Sequence, residues 1–511
     1  MNVADQLAGV FALVLPEVVL ILAACAFFVG GAFQAGRSLW GRMALLVLAC
    51  AGLVLSLYPL PVVGTPPDVA EPLTLDRLAC LIKALALVGG FVVVLFGWDE
   101  VPDRHAAEYY GCLLIIIAGL CLTASANDLV VLFLALELIS IPTYVILYLQ
   151  RTDLAAQEAA AKYFLLSIFA AALLLFGFSY LYGIAGSTNI AALLAALQSA
   201  APGPGEPSRL PLLFMVALVM VAAGLGFKIA AVPFHFYAPD VYQGTTLSSA
   251  ALLAFVPKAA GFVALVRVLG FVWAQGRPGL ALGWQGPILF WILAAMTMTV
   301  GNILALLQDN LKRILAYSSV AHAGYMLIGL AVAPALGTKG LVGGVEAVLF
   351  YLIAYSAMTI GAFAVLAYLS TPEHPINEVD DLAGISQSQP GVALVMALFM
   401  FSLIGIPLTA GFMGKLFLFF GALSVPADVA GEEHARLFRW LALIGVLNAA
   451  IGAWYYLRIV AAMYLRTPLR AVDKPHTLTG LAALAICAAV TLILGVWPQP
   501  MVDALRQAVG P

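Results

Sequence analysis

Ten ionisable side chains lie inside, or at the edges of, the long apolar stretches of this 511-residue chain. Seven are basic and three are acidic: Lys83, Lys162, Lys228, Lys258, Arg267, Lys415, Arg458, Glu17, Glu137 and Glu346. An ionisable group at the centre of a bilayer costs at least about 2.5–3.5 kcal/mol, and such groups usually mark a path for ions or protons. These residues therefore predict a chain that moves ions through a membrane.

Glu137 stands midway along an apolar run and needs a cationic partner there. The sequence predicts that Lys162, on the following run, is that partner. The alternative is a local salt bridge between Lys162 and Glu158, which share a helix face at a spacing of four residues. A lysine in low dielectric loses proton affinity, and a nearby carboxylate restores it. A carboxylate that moves relative to Lys162 would thus act as a proton switch.

Lys228 and His235 lie seven residues, or two helical turns, apart, with Pro233 between them. A proline removes one backbone hydrogen bond of a helix. Freed carbonyls at membrane depth are tolerated where they line a cavity or bind water. The combination predicts a broken helix beside a hydrated proton path, although His235 taken alone fits an interfacial position equally well.

The pattern of a lysine near a proline recurs later in the chain. Lys258 directly follows Pro257, and Lys415 follows Pro407 within the same apolar run. Broken helices at corresponding positions of two halves are typical of transporters built from inverted repeats. His322 lies between these two lysines in sequence, and we interpret it as a relay between them, with a packing histidine as the alternative.

The remaining in-span charges have a simpler interpretation. Long basic side chains near helix ends reach the membrane interface, and we expect this of Lys83, Arg267 and Arg458. Glu346, one to two turns into its run, is also expected at the interface. For Glu17, which follows Pro16, the sequence leaves interfacial and buried positions open.

The elements that must position these residues are membrane-spanning helices. The chain is 64% hydrophobic and 10% charged, against about 25% charged residues in soluble proteins. Continuously apolar runs exclude barrel strands, which alternate in polarity. The prediction is an all-α polytopic membrane protein with fourteen spans, at about 11–33, 43–60, 78–97, 110–125, 128–149, 158–184, 211–235, 246–272, 286–306, 312–333, 341–369, 391–422, 437–465 and 477–497.

Setting spans four to eight against spans nine to thirteen divides the chain into four parts. These are N-terminal helices at 1–109, a first repeat at 110–272, a second repeat at 286–465, and a C-terminal span with its tail at 477–511. Residues 185–210 and 370–390 read as loops. A slight excess of Lys and Arg in loops after odd-numbered spans places those loops in the cytoplasm.

Several classes of function are excluded by what the sequence lacks. None of the six cysteines forms a Cys-x-x-Cys pair, which argues against iron–sulfur and zinc sites in this chain. Neither a phosphate-binding P-loop motif nor a dinucleotide fingerprint is present, which argues against an ATP-driven pump. The net charge of −3 gives no indication of a nucleic-acid partner.

At these same residues the sequence resembles the antiporter-like membrane subunits of respiratory complex I. The resembling segments cover about residues 110–425 and include the stretches 127–140, 158–163, 224–245 and 310–322. Of the three complex I branches of the family, the L branch carries a C-terminal lateral helix for which this sequence leaves no room. The M branch carries a glutamate on the broken twelfth helix, where this chain has Lys415. The sequence therefore resembles the N branch.

The resemblance implies a proton relay on residues of this chain. Its seven members would be Glu137 and Lys162 as the switch, Lys228 and Lys258 as the central relay, Lys415 as the exit or terminal site, and His235 and His322 as relay or uptake groups. Proton translocation would be coupled to electron transfer from NADH to quinone on other subunits. An Mrp-type Na⁺/H⁺ antiporter subunit, the photosynthetic counterpart of complex I and a purely structural membrane anchor are the alternatives.

The same resemblance implies where the redox chemistry lies and what surrounds the chain. FMN, iron–sulfur clusters and quinone are expected on partner subunits, with no cofactor and no metal in this chain. The expected partners are an M-type antiporter-like subunit and the small A, J and K subunits. The expected location is the bacterial inner membrane.

Overall fold

The structure is a computed structural model that describes residues 11, 13–58, 72–149, 153–199, 212–269, 284–336, 342–371, 374–468 and 477–509. Within these ranges the fold is all-α, as the sequence predicts, and contains no β-strand. The helices are α1 (Leu15–Gly31), α2 (Arg37–Ser56), α3 (Arg77–Gly97), α4 (Ala106–Ser125), α5 (Leu129–Leu149), α6 (Leu154–Ala185), α7 (Ile190–Ser199), α8 (Leu212–Lys228), α9 (Ala238–Gly244), α10 (Leu247–Leu269), α11 (Gln285–Leu306), α12 (Leu311–Leu336), α13 (Gly344–Leu369), α14 (Ile385–Ser388), α15 (Pro390–Ile404), α16 (Ala410–Leu423), α17 (Ala427–Leu465), α18 (Leu478–Val496) and α19 (Gln499–Val509).

Eleven of the described helices are long and apolar enough to cross a membrane. Shorter apolar helices are α1 and the pieces of two interrupted spans. In the seventh predicted span, 211–235, helix α8 ends at Lys228, and the short helix α9 begins three residues beyond the predicted limit. The twelfth predicted span is divided into α15 and α16, so both expected breaks are confirmed. The total of fourteen crossings stays a prediction.

Three regions differ from the expectation. The polar region 185–210 contains the helix α7, and the region 370–390 contains a 3₁₀ turn at Val379–Leu382 and the short helix α14. After the last predicted span, α19 packs against α3 and α13. These elements were missed because each is much shorter than the roughly 20 apolar residues that a membrane span needs.

The start of α3 is tied to the end of α10 by a bidentate ion pair. Asp76 caps α3 by accepting from the backbone N–H of Ala79 at 2.7 Å. Arg267 donates to both oxygens of Asp76, at 2.5 and 2.7 Å. Burial alone would raise the pKa of Asp76, but the charge and hydrogen bonds of Arg267 outweigh it and hold this pKa below its usual range.

The centre of the molecule is formed by α10, α12 and α13, which other helices enclose almost completely. Small residues allow close approach of backbones in a membrane, where lipid is as apolar as the helices themselves. At Gly301 on α11, an added Cβ would lie only 2.7 Å from the backbone nitrogen of Ala321 on α12. The enclosed helices carry the buried Lys258 and His322.

The division into two inverted repeats rests on the two interrupted spans, five spans apart in the predicted order. Both breaks contain a residue other than glycine in the left-handed region, Ala230 at φ 57° and Leu408 at φ 70°. We propose that the boundaries 110–272 and 286–465 bound the two repeats.

Candidate functional site

The first break separates α8 from α9 and leaves Lys228 as the last residue of a half-helix. The segment 229–237 contains Pro233 and His235, and its Val232 N–H donates to the hydroxyl of Thr297 on α11 at 3.0 Å. The C-terminal end of a helix carries a partial negative charge, which favours a nearby cation. Lys228 therefore stands where the backbone itself favours a charged amine.

The second break, between α15 and α16, also has a lysine beside it. Lys415 belongs to α16, but its amine donates to the carbonyls of Leu403 and Ile404 at 2.7 and 2.9 Å. These are the last carbonyls of α15, which the helix leaves without partners of its own. The second break thus places a lysine amine at the C-terminal end of a half-helix, whereas at the first break Lys228 itself ends the half-helix and its amine contacts Ser140 and Glu137.

Glu137 faces Lys228 across the interior. Its carboxylate lies 4.0 Å from the amine of Lys228. That amine also donates to the hydroxyl of Ser140, one turn after Glu137 on α5, at 2.5 Å. The Lys228 side chain is 3% exposed and that of Glu137 is 20% exposed, so the pair is shielded at the lysine and reachable at the carboxylate.

Lys258 continues the line of basic groups from α10. A Cβ built at Gly261, one turn after Lys258, would lie 3.3 Å from the Cβ of Lys228, so α10 packs closely against the end of α8 at Lys228. The Lys258 amine donates to the carbonyl of Ser319 on α12. It also lies 5.3 Å from the centre of the Tyr355 ring, within cation–π range.

His322 connects Lys258 with Lys415 through aromatic groups. Its ring lies 5.3 Å from the Tyr355 ring on one side and 5.6 Å from the Tyr325 ring on the other. The Lys415 amine lies 4.8 Å from the centre of the same Tyr325 ring. We call Glu137, Lys228, Lys258, His322 and Lys415 the polar axis.

Both ring nitrogens of His322 are engaged by hydroxyl groups. Nδ1 lies 2.6 Å from the hydroxyl of Tyr351, and Nε2 lies 3.0 Å from that of Tyr456. The Tyr456 hydroxyl also contacts the hydroxyl of Ser318. Hydroxyls both donate and accept, so this arrangement allows proton exchange at either nitrogen, which a histidine used only for packing would not require.

The expected pairing of Lys162 with Glu137 is wrong. Lys162 lies near the start of α6, and its amine contacts Glu158 and Asp240, each at 2.6 Å. Among the described residues, the ion pair of Glu137 is with Lys228 instead. The local alternative is therefore correct for Lys162, because the i,i+4 geometry keeps its amine at the helix start, where it is 39% exposed.

His235 lies in the break segment, half-buried and outside the polar axis. An unbroken helix would have placed it on the face of Lys228, but the chain leaves the helix at Lys228 and re-enters one only at Ala238. Its assignment as a relay or uptake group stays a prediction. The seven-residue spacing puts Lys228 and His235 on one face only in an unbroken helix. The break that the sequence indicated is therefore the reason that this spacing argument fails.

The interfacial position expected for Lys83 is wrong. Lys83 forms a fully buried ion pair with Glu17 at 2.8 Å, with side chains 0% and 3% exposed. Lys83 also donates to the carbonyl of Leu13 at 3.1 Å. The pair forms because α1 packs against α4 and brings Glu17 to the buried amine of Lys83.

The other edge charges divide between the interface and the interior. Arg267 and Arg458 lie at helix ends with carboxylate partners, Asp76 and Asp309, and are partly exposed as expected. Glu346 is buried, at 8% exposure, in the first turn of α13. Helix α19 packs against α13, and the interfacial position expected for Glu346 stays a prediction.

Sequence reasoning missed the polar groups that link the charged residues. These are Ser140, Asp240, Ser319, Tyr351, Tyr355 and Tyr456. A signal for two of them was present, since Tyr351 and Tyr355 stand four residues apart and share one face of an apolar helix. Serines gave no such signal because they also satisfy their own helix backbone.

Comparisons with known proteins bear on this arrangement. The family described as NADH:quinone oxidoreductase/Mrp antiporter, TM, matches residues 126–430. A curated relative from Trichlorobacter lovleyi, NADH-quinone oxidoreductase subunit N, is 38% identical over 97% of this chain and 96% of its own length. A chain of respiratory complex I from Thermus thermophilus with bound aureothin is 32% identical, with a TM-score of 0.75 over 97% of this chain and 100% of that one.

A second solved structure extends the likeness of fold. A chain of the Mrp complex from Dietzia has a TM-score of 0.78 over 97% of each chain, at 19% identity. Identity this low supports a common fold and nothing finer. The matched region 126–430 contains every residue of the polar axis.

Proposed function

Because this chain belongs to the NADH:quinone oxidoreductase/Mrp antiporter family, we propose that its polar axis carries protons across the membrane. The function expected from the sequence, a proton-translocating antiporter-like subunit of NADH-quinone oxidoreductase, is confirmed by its relatives. The expected likeness to the N branch is confirmed as well. The observation that carries the residue assignment is the Glu137–Lys228 pair at the end of a broken helix.

The first step of the proposed mechanism takes place at Lys228. Glu137 and the C-terminal end of α8 both favour the charged amine while the carboxylate is near. Movement of Glu137 away leaves a closed, weakly polar environment, which favours release of the proton. Redox energy from partner subunits needs only to change this distance or charge, so no redox group is required in the present chain.

The later steps pass the proton along the polar axis. Lys258 receives it next, since α10 touches α8 beside Lys228. His322, with a hydroxyl at each nitrogen, passes it on, and Lys415 is the terminal site. Lys162 and His235 stand apart from this line, and we assign them to the surface side, where Lys162 is already partly exposed.

The setting of the mechanism is a respiratory complex. The chain is a multi-span membrane protein that associates with other complex I subunits. We propose that its neighbours are an M-type antiporter-like subunit and the small A, J and K subunits, in a bacterial inner membrane. FMN, iron–sulfur clusters and quinone would lie on these and other partners, which is consistent with the absence of nucleotide and Cys-x-x-Cys motifs in the sequence.

The decisive experiment replaces Lys228 in the assembled complex. In Lys228→Ala, we expect proton pumping per NADH oxidised to fall by about tenfold or more, which corresponds to about 1.4 kcal/mol or more. Pumping is measured with a pH-sensitive dye in inverted membrane vesicles, and NADH–quinone activity and subunit co-purification are measured in parallel. Wild-type pumping with confirmed assembly would remove Lys228 from the route and favour a purely structural anchor.

A matched control keeps the charge and changes the geometry. Lys228→Arg retains a cation that does not release its proton in proteins, so pumping should stay low although the Glu137 pair is preserved. Cation/proton exchange that proceeds without NADH, quinone or the other subunits would instead favour an independent Mrp-type antiporter. The two measurements thus distinguish a relay from an anchor and from an antiporter.

A further inference from the structure

Asp240 connects the two proposed repeats of the molecule. It lies on α9, the half-helix that follows the first break. One carboxylate oxygen accepts from the amine of Lys162 on α6 at 2.6 Å, and the other accepts from Arg313 on α12 at 2.7 Å. Asp240 therefore divides its two oxygens between a helix of the first proposed repeat and a helix of the second.

Arg313 is held in a fixed orientation by three groups. Besides Asp240, its guanidinium donates to the side-chain oxygens of Gln308 at 2.8 Å and Gln243 at 3.0 Å. Arginine stays charged in proteins, and its planar fork fixes the direction of its hydrogen bonds. Arg313 thus keeps Asp240 ionised and in place, whatever the charge on Lys162.

The half-helix α9 is also joined to the polar axis. The hydroxyl of Tyr242, two residues after Asp240, lies 3.4 Å from the hydroxyl of Ser319. The carbonyl of the same Ser319 accepts from Lys258. A second tie, from the amine of Lys312 to the carbonyl of Thr245 at 2.6 Å, fixes the end of α9 to α12.

We propose that Asp240 is a positioning residue that couples the charge of Lys162 to α12 and, through Tyr242 and Ser319, to Lys258. A charged Lys162 attracts Asp240 and draws α9 towards α6. Arg313 pulls the same carboxylate the other way, so a movement of the Lys162 amine away from Asp240 lets α9 shift towards α12. Since α9 carries Tyr242, this shift changes the groups around the Lys258 amine.

The inference rests on the proposed function, because it assumes that Lys258 transfers protons. It adds a residue that lies outside the polar axis and touches none of its members directly. Asp240 differs in this from Glu137, which contacts Lys228 itself. Its loss should therefore lower the efficiency of coupling and leave electron transfer intact.

The experiment uses the assembled complex in membrane vesicles and compares four variants. Asp240→Asn keeps the shape and removes the charge, and Arg313→Gln removes the cation on the opposite side. Protons pumped per NADH should fall by about twofold to fivefold in each, as expected for partly exposed ion pairs. The double variant should be no worse than the poorer single one, and Asp240→Glu should recover part of the loss.

The matched control is Asp380→Asn, which removes the carboxylate of another partly exposed aspartate–arginine pair, with Arg466. Asp380 lies in the 3₁₀ turn between α13 and α14, and Arg466 directly follows α17. Both residues lie outside the polar axis, and loss of their pair should leave pumping at the wild-type level. Pumping by Asp240→Asn equal to that of Asp380→Asn would overturn the inference. So would a double variant whose loss is the product of the two single losses.

A comparison of Lys228→Ala with Asp240→Asn separates a failure of the proposed function from a failure of the coupling role alone. If Lys228→Ala pumps normally, the proposed function fails, whatever Asp240 does. If Lys228→Ala is impaired and Asp240→Asn is not, only the coupling role of Asp240 fails. Should Asp240→Asn prevent assembly, Arg313→Gln decides alone: reduced pumping per NADH supports the role, and wild-type pumping overturns it.

Discussion

Within the described part of the chain, two buried carboxylate–lysine pairs differ in almost every physical respect. Glu17 and Lys83 are 2.8 Å apart, with side chains 3% and 0% exposed. Glu137 and Lys228 are 4.0 Å apart, and the carboxylate is 20% exposed. The first pair joins continuous helices, whereas the second lies at the end of a half-helix beside a break.

This difference separates a structural pair from a responsive one. A tight pair closed off from water is costly to open, because either charge left alone in the interior is strongly destabilising. A looser pair with one reachable member can change its separation at a smaller cost. The residue types alone are identical in the two pairs, so the function follows from spacing, exposure and the helix break.

The largest expected effect comes from breaking the buried Glu17–Lys83 pair. In Lys83→Met, the Glu17 carboxylate is left buried without its cation, and stability should fall by about 3–5 kcal/mol. The measurement is thermal unfolding of the purified complex in detergent, together with the amount of complex assembled. The double variant Glu17→Gln/Lys83→Met should recover most of the loss, because neither charge remains.

Once assembled, the double variant should pump as the wild type does. A normal melting temperature combined with reduced proton pumping would contradict the structural interpretation of this pair. It would then have to be added to the proton route, and the contrast between the two pairs would disappear.

A smaller effect is expected at the Glu137–Lys228 pair, and it concerns proton pumping instead of stability. Glu137→Gln keeps the shape and removes an attraction of about 4 kcal/mol at 4.0 Å and an effective dielectric constant of about 20. The Lys228 amine can release its proton and so avoid being left as a lone buried charge. We therefore expect pumping to fall by about fivefold to tenfold, while thermal stability falls less than in Lys83→Met. Stopped-flow acidification of vesicles and unfolding curves on the same preparations provide both readings.

A stability loss in Glu137→Gln as large as that in Lys83→Met would show that both pairs are structural. Glu158→Gln offers a comparison, since it removes the carboxylate that pairs with Lys162 and that is 63% exposed. Its effect on stability should lie within the range of about 0.3–0.5 kcal/mol typical of such helix pairs.

The smallest effect concerns the breaks themselves. Leu408 holds a left-handed conformation at φ 70° although its side chain is 69% exposed and packs little. Such a conformation costs a residue other than glycine about 1–3 kcal/mol. Glycine avoids this strain, but it loses more backbone entropy on folding, which offsets part of the stabilisation. Leu408→Gly should therefore stabilise the protein by about 0.5–1 kcal/mol, measured by thermal unfolding, whereas the β-branched Leu408→Val should destabilise it.

Much of the fold could be predicted from the sequence, because hydrocarbon leaves an apolar chain few ways to satisfy its backbone. Pro233 and Pro407 marked the interrupted spans for a local reason, the missing backbone donor. The helices α7 and α19 could not be predicted in the same way, since each is short and obtains its place from packing on its neighbours.

The sequence predicted most of the residues that form the candidate site, but it did not predict which carboxylate pairs with which lysine. Burial of charge identified Glu137, Lys228, Lys258 and Lys415 from their positions within apolar runs. Which carboxylate meets which amine depends on helix rotation and tilt, and these are set by contacts far apart in sequence. Lys162 was therefore assigned to the wrong acid, and Lys83 to the wrong environment.

The helix α19 joins parts of the chain that are synthesised far apart in time. The side chain of Arg77, at the start of α3, donates to that of Gln507 on α19, across 430 residues of sequence. At about 5–20 residues per second, Arg77 leaves the ribosome roughly 20–90 s before its partner. The surface that α3 offers to α19 stays open throughout this interval, so a chain interrupted during synthesis exposes an edge that the finished chain covers.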